Sequence, residues 1–164
     1  MVKKQFPRKV FILIAVFTAF LIMTLVFLRV DADRRIERVL FFPNEGGREL
    51  HGELRRLPVR DDLAGNLELF IDELVLGPDE IDLYRLFPKE VKLESLLLDG
   101  NVLYLGYSEN LVTTAENVPL SLNGIIAAVA DAVVFNFPEI KEVKTSIGGE
   151  PVNLNVSDTD VEKK

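Results

Sequence analysis

Apolar and polar positions divide this chain into two unlike parts. From Val10 to Leu28 nineteen residues pass without a charge, and at about 1.5 Å of rise per helical residue that run approximates the roughly 30 Å hydrocarbon layer of a bilayer. It predicts a transmembrane helix over residues 10–28, after a short cytoplasmic N-terminus at residues 1–9. A charged linker at residues 29–36 follows. Residues 37–156 then show the mixed pattern of an ordinary globular domain, and the polar stretch 157–164 reads as a disordered tail.

Within the domain, Val39 to Phe42 is a β-branched and aromatic run closed by Pro43, Asn44, Gly46 and Gly47, which predicts a first strand and a turn. Leu50 to Leu57 is interrupted by Glu53, Arg55 and Arg56 and predicts at most a weak edge strand. Leu63, Leu67, Phe70, Ile71 and Leu74 recur at helical spacing, with Asp61 and Asp62 at the start and Gly77-Pro78 at the stop. Two β-rich runs, Val91 to Leu97 and Val102 to Tyr107, flank Asp99-Gly100 and predict an antiparallel hairpin. A second helix is expected from Pro119 to about Asn136, ended by Phe137-Pro138, and a last strand from Glu142 to Ile147. The expected class is α+β: a mainly antiparallel sheet with two helices packed on one face, behind the N-terminal transmembrane helix.

Charge changes the picture once it is divided at the apolar run. Lys3, Lys4, Arg8 and Lys9 precede it, and all 26 acidic residues follow it. The positive-inside rule therefore predicts a cytoplasmic N-terminus and an extracytoplasmic domain, on the outer face of the cytoplasmic (inner) membrane. A cleaved signal peptide is the competing reading, with Val30 and Ala32 as small residues before a cleavage site, although nineteen apolar residues exceed the usual signal core of about 7 to 15. Beyond the run, 15 basic residues stand against 26 acidic ones, a formal charge of −11. Phosphate-rich partners need a basic footprint, so neither nucleic acid nor peripheral docking onto anionic lipid is expected, and a protein partner in the cell envelope, or a second copy, is. The chain contains no cysteine, which excludes both a disulfide framework and attachment of lipid through an N-terminal cysteine.

Candidate chemistry is sparse. His51 is the single histidine, so a histidine metal cluster cannot form and any histidine-dependent nucleophile would rest on this residue alone. Gly46-Gly47 and Gly148-Gly149 read as turns, with no phosphate-binding loop or nucleophile elbow. Asp72 and Glu73, with Asp79, Glu80 and Asp82, could converge as a carboxylate pair for glycan hydrolysis, against the plainer reading of a solvated acidic loop. Asp158, Thr159 and Asp160 lack the glycine and distal glutamate of a calcium loop. No catalytic residue, cofactor or metal is expected. The alternatives to an interaction module are a small carboxylate-dependent envelope enzyme and a binder of cell-wall polymer or another ligand, the last poorly provisioned with no tryptophan and three tyrosines.

Two surfaces carry more. Along the second helix Leu122, Ile125, Ile126, Val129 and Val133 form a core stripe, leaving Leu120, Asn123, Ala127, Asp131 and Val134 opposite as a candidate interface unusually apolar for solvent. Leu120, Ala127 and Val134 repeat every seven residues and would make one shallow strip. In the apolar run, Ala15 and Ala19 form a small-xxx-small pair that would let two helices approach.

Several stretches, in order, resemble a GerMN domain, the module named from sporulation and spore germination proteins. Phe41-Phe42-Pro43 resembles its opening strand, and Leu74-Val75-Leu76-Gly77-Pro78 its helix end. Phe87-Pro88 leading through Val91, Leu93, Leu98, Asp99, Gly100 and Val102 resembles its hairpin. Phe137-Pro138-Glu139-Ile140 before Val143, Ile147 and Gly148-Gly149 resembles its final helix-to-strand passage. Together these span about Glu37 to Asn155. The run Ala130 to Val134 departs from the family, where a polar threonine is expected near the helix end. The resemblance implies α+β modules that associate side by side outside the cytoplasm, a scaffold or partner-binding role, and no enzymatic activity.

Overall fold

A computed structural model of the chain describes residues 8–32 and 34–152. The expectations for residues 1–7 and for the C-terminal tail lie outside the described residues.

The apolar run forms α1 (Arg8–Ala32), whose window Lys9–Val26 has a mean hydropathy of 2.6 and buries nothing against the rest of the chain. It is long and apolar enough to cross a membrane. The helix continues to Ala32 and β1 (Arg35–Pro43) begins three residues on, so the charged stretch expected as a linker is mostly taken up by these two elements.

Strand β1 pairs antiparallel along its whole length with β2 (Leu50–Pro58), from Arg35 opposite Pro58 to Pro43 opposite Leu50. The polar residues that weaken β2 in sequence are the ones it buries: Glu53, Arg55 and Leu57 face inward while Gly52, Leu54 and Arg56 face out. At the hairpin tip Gly47 has φ +62°, and a Cβ there would lie 2.5 Å from the carbonyl oxygen of Pro119. Only glycine lets this turn approach the loop before the second long helix.

Helix α2 (Leu63–Leu76) starts at Asp62, whose carboxylate accepts from the Gly65 N–H, and stops at Gly77, whose φ of +99° ends the helical path. Its residues Leu67, Phe70, Ile71 and Leu74 are buried. A two-residue loop, Gly100-Asn101, joins β3 (Leu93–Asp99) to β4 (Val102–Tyr107). The chain then passes through the short α3 (Asn110–Thr113) and a 3-10 turn into α4 (Leu122–Asn136), capped by the Ser121 hydroxyl accepting from Gly124 N–H. Strands β5 (Glu142–Ile147) and β6 (Glu150–Val152) close the domain, β6 being unforeseen in sequence.

The class is α+β as expected, but the strands fall into two sheets, β1-β2 and β3-β4-β5-β6. All pairings are antiparallel except β4 with β5. The excursion through α3 and α4 returns the chain parallel to β4, as a helical crossover requires. One face of the larger sheet, including Leu103, Leu105, Tyr107, Thr145 and Ile147, is buried under the helices. The alternate residues Leu97, Tyr104 and Lys144 point to solvent. Leu40, Phe42 and Leu57 of the hairpin join the same core, where Phe70 meets Phe137 edge-on at 5.3 Å.

Candidate interaction surfaces

Of the acidic residues read as a carboxylate site, Glu73 and Asp79 do converge, but on a cation that they share with Glu53. Arg55 is 8% exposed and its Nε donates to Glu53 Oε1 at 2.5 Å, Nη1 to Glu73 Oε2 at 2.8 Å and Nη2 to the Gly77 carbonyl at 2.7 Å. Asp79 lies 3.5 Å from the same guanidinium, and the ring of Phe42 lies beneath it. The other Glu53 oxygen accepts from the backbone N–H groups of Asp79 and Glu80. Burial alone would pull the Arg55 pKa down; the hydrogen bonds to Glu53 and Glu73 and their charge outweigh it and hold it above the ordinary value. A guanidinium occupies the space between the carboxylates where water or a sugar would have to enter, so the group pins β2 to the end of α2 and the loop after it.

The remaining acids of that set stand elsewhere. Asp72 is exposed on α2, its pKa pushed up by partial burial and by repulsion from Glu68 and Glu73. Asp82 and Glu80 are exposed. Burial and the nearby Asp72 raise the pKa of the Tyr107 hydroxyl, which is enclosed without a hydrogen-bond partner among the described residues. His51 is exposed on the strand edge, 3.7 Å from Glu49. Among the described residues no three histidine, cysteine, aspartate or glutamate side chains are grouped to hold a metal. A shallow open groove of about 440 Å³ runs between the start of α2 and β3, lined by Asp62, Glu68, Glu94 and Ser95. Asp62 is already engaged there as the helix cap. The β3 edge itself pairs with nothing among the described residues.

The candidate interface on the second long helix is partly rearranged. Ala127, Asp131 and Val134 do face out from α4, and Asn123 is half-buried. Leu120 is a correction: it precedes the Ser121 cap, lies outside the helix, packs against the core and folds back over Gly124. A seven-residue strip from Leu120 to Val134 therefore does not exist, because the helical phase begins only after Leu120.

What replaces it is a band shared between α4 and the hairpin. Phe135 is 63% exposed beside Val134, and its ring meets Phe41 of β1 edge-on at 5.3 Å. Phe41 lies opposite Gly52, and Val39 opposite Leu54, which is 61% exposed. A Cβ at Gly52 would press within 2.8 Å of Val39 and 3.5 Å of Phe41, so the missing side chain lets these rings and methyls lie flat across the hairpin. The signal was present in the sequence: an unbroken apolar run Val39 to Phe42 makes both faces of a strand apolar, and only one of them can face this core.

Asn136 fixes the two halves of the band to each other. Its side-chain oxygen accepts from Val39 N–H at 2.9 Å, and its amide donates to the Val39 carbonyl at 2.7 Å and to Ala132 at 2.8 Å. Arg38 donates to the Asn136 carbonyl and stacks 4.1 Å over Phe137. Burial pulls the Arg38 pKa down, against Glu139, which raises it.

Fold and surface together define an α+β domain carried behind a long apolar helix, with exposed apolar bands and with its buried carboxylate held by an arginine. The chain belongs to the Germane family, described as sporulation and spore germination, whose model matches residues 39–153. The first GerMN domain of the sporulation protein GerM from Bacillus subtilis is similar in fold, with TM-score 0.50 and 14% identity, over 74% of this chain and 90% of that one. The tandem GerMN domains of the same protein match with TM-score 0.51 and 18% identity over 71% of this chain. This chain spans only 40% of that tandem chain. No curated protein matches the sequence.

Proposed function

We propose that the protein is a single-pass membrane protein, N-terminus in the cytoplasm, whose domain acts outside as a non-enzymatic docking module for an envelope protein or a second copy of itself. The observation that carries this reading is the band Val134, Phe135, Phe41, Val39 and Leu54, in which Val134, Phe135 and Leu54 are exposed and Phe41 and Val39 half-buried, although each element contributing to it also supplies the core. Exposed apolar area forgoes about 25 cal/mol per Å², so covering the band favours a modest interface. The long apolar helix α1 agrees with a place at a membrane, and the Arg55 cluster speaks for a structural use of its carboxylates.

Two measurements test the reading. A reporter fused after Lys164 is expected to be active only outside the cytoplasm, because four basic residues precede the apolar run and every acidic one follows it; activity inside would overturn the orientation. In membranes, Phe135→Asp combined with Leu54→Asp is expected to abolish crosslinking of the domain to itself or its partner while circular dichroism stays unchanged. Both side chains are more than half exposed, so the fold tolerates a charge there. Unchanged crosslinking by a folded variant moves the interface away from this band.

A further inference from the structure

Strand β3 is an open edge of the larger sheet, and its register against β4 decides which of its backbone groups are free. Gly100 has φ +60° and Asn101 is not in the positive range, so the two-residue loop is a type II′ turn closed by the hydrogen-bonded pair Asp99 and Val102. Bonded and non-bonded pairs alternate along an antiparallel ladder. Ser95 and Leu97 therefore bond across to β4, while the N–H and C=O groups of Leu96 and Leu98 point out of the edge. The far side of β4 agrees: the carbonyls of Asn101 and Tyr107 accept from the N–H groups of Lys141 and Gly148. Leu103, Leu105 and Tyr107 thus turn their backbone groups toward β5, and Val102, Tyr104 and Gly106 turn theirs toward β3. Among the described residues no strand pairs with β3 from outside.

The open edge borders the groove of about 440 Å³ between β3 and the start of α2. On the helix side the groove is lined by Ala64 and Gly65, small enough to leave room for another backbone. Its charged lining is Asp62, Glu68 and Glu94, with no base among the lining residues. Asp72 stands one turn beyond Glu68 on the same face of α2, and partial burial, then repulsion from Glu68 and Glu73, push its pKa up. Glu68, Asp72 and Glu94 are exposed and form no ion pair among the described residues. Two bases flank the groove: Arg60, whose stem lies against Gly65, and Lys92, which precedes Leu93. Neither pairs with these carboxylates. On the other face of the strand Leu97 is 63% exposed.

We propose that the free edge of β3 accepts a basic extended segment of a partner protein as an added strand. The segment's backbone pairs with Leu96 and Leu98, which supplies affinity whatever its sequence. Its lysine or arginine side chains turn into the groove toward Glu68, Asp72 and Glu94, and the alternate side chains, apolar ones, lie beside Leu97, because successive residues of a strand face opposite ways. The charge of the groove selects this occupant over a second copy of the chain: pairing β3 with its own duplicate would bring two sets of the same unpaired carboxylates together. The site is separate from the band on α4 and the hairpin and does not depend on it.

The test uses the full chain in a neutral detergent and two probes, capped peptides of about eight residues in which Val alternates with Lys or with Glu, within the usual length of a strand. With the Lys peptide at saturation, amide hydrogen exchange at Leu96 and Leu98 is expected to slow about tenfold or more, and with the Glu peptide to stay unchanged. Glu68→Lys with Glu94→Lys, both exposed, is expected to keep the circular dichroism and to weaken the Lys peptide about tenfold or more while the Glu peptide gains. Should that variant unfold, Glu68→Gln with Glu94→Gln is expected to abolish the preference between the probes. Phe135→Asp with Leu54→Asp is expected to leave the slowing intact, so failure of the band as an interface and failure of this site read out separately. No slowing at Leu96 and Leu98 overturns the proposal, and so does binding of the Lys peptide without it, which is general attraction to an acidic domain. Equal slowing by both peptides overturns the choice of a basic occupant. Slowing that needs no peptide and grows with protein concentration overturns it too, in favour of a second copy.

Discussion

Arg55→Ala is expected to destabilise the domain by about 3–5 kcal/mol, the range for removing one partner of a buried ion pair. Glu53, 4% exposed, would be left with no cation beside it, and the Gly77 carbonyl at the end of α2 would lose its donor. The loss corresponds to a drop in Tm of roughly 10–20 °C for a domain of this size, readable by circular dichroism of the full chain in detergent. Arg55→Lys is expected to fall between, because an ammonium cannot span Glu53, Glu73 and Gly77 in the fixed geometry of a guanidinium. Combining Arg55→Met with Glu53→Gln is expected to recover part of the loss, since the stranded carboxylate is gone while the amide oxygen can still accept from Asp79 and Glu80. A change of under about 1 kcal/mol in Arg55→Ala would contradict the cluster's role as a structural pin.

Asn136→Ala is expected to cost about 3 kcal/mol. The change leaves the Val39 N–H and carbonyl, which point away from β2, without the amide that pairs them both, and each unsatisfied group costs about 1–3 kcal/mol when shielded from water. The expected signature is local as well as global: hydrogen exchange at Val39 should accelerate ahead of exchange in β4, because β4 is paired on both sides. Asn136→Asp should differ from Asn136→Ala, since a carboxylate still accepts from Val39 N–H yet cannot donate to the Val39 or Ala132 carbonyls. If exchange at Val39 were unchanged in Asn136→Ala, the side chain would not be what holds α4 to the hairpin.

Features written in consecutive residues were legible without coordinates. The charge-free run to Leu28 specified α1, Asp62 and Gly77 bounded α2, and Asp99-Gly100 marked the β3–β4 hairpin, because caps, turns and apolar periods act over a few positions of chain. The core stripe of α4 was legible for the same reason: Ile125, Ile126, Val129 and Val133 are all buried. The start of that helix was misplaced by three residues, since Pro119 is an acceptable first helical residue but the cap hydroxyl belongs to Ser121. The slip put Leu120 on a face it does not share.

What only the tertiary structure decided are the relations between segments far apart in sequence. Glu53 and Arg55 make β2 look like a polar edge because their partners, Glu73 and the backbone at residues 77–80, come from the far end of α2. The division into two sheets depends on where α4 brings the chain back beside β4. The band of Phe135, Phe41 and Leu54 draws on three elements, and no window of one strand or helix contains it. Sequence fixed which side chains were apolar or charged; packing chose which of them met a partner, because burial and pairing are set by contacts across the chain and not along it.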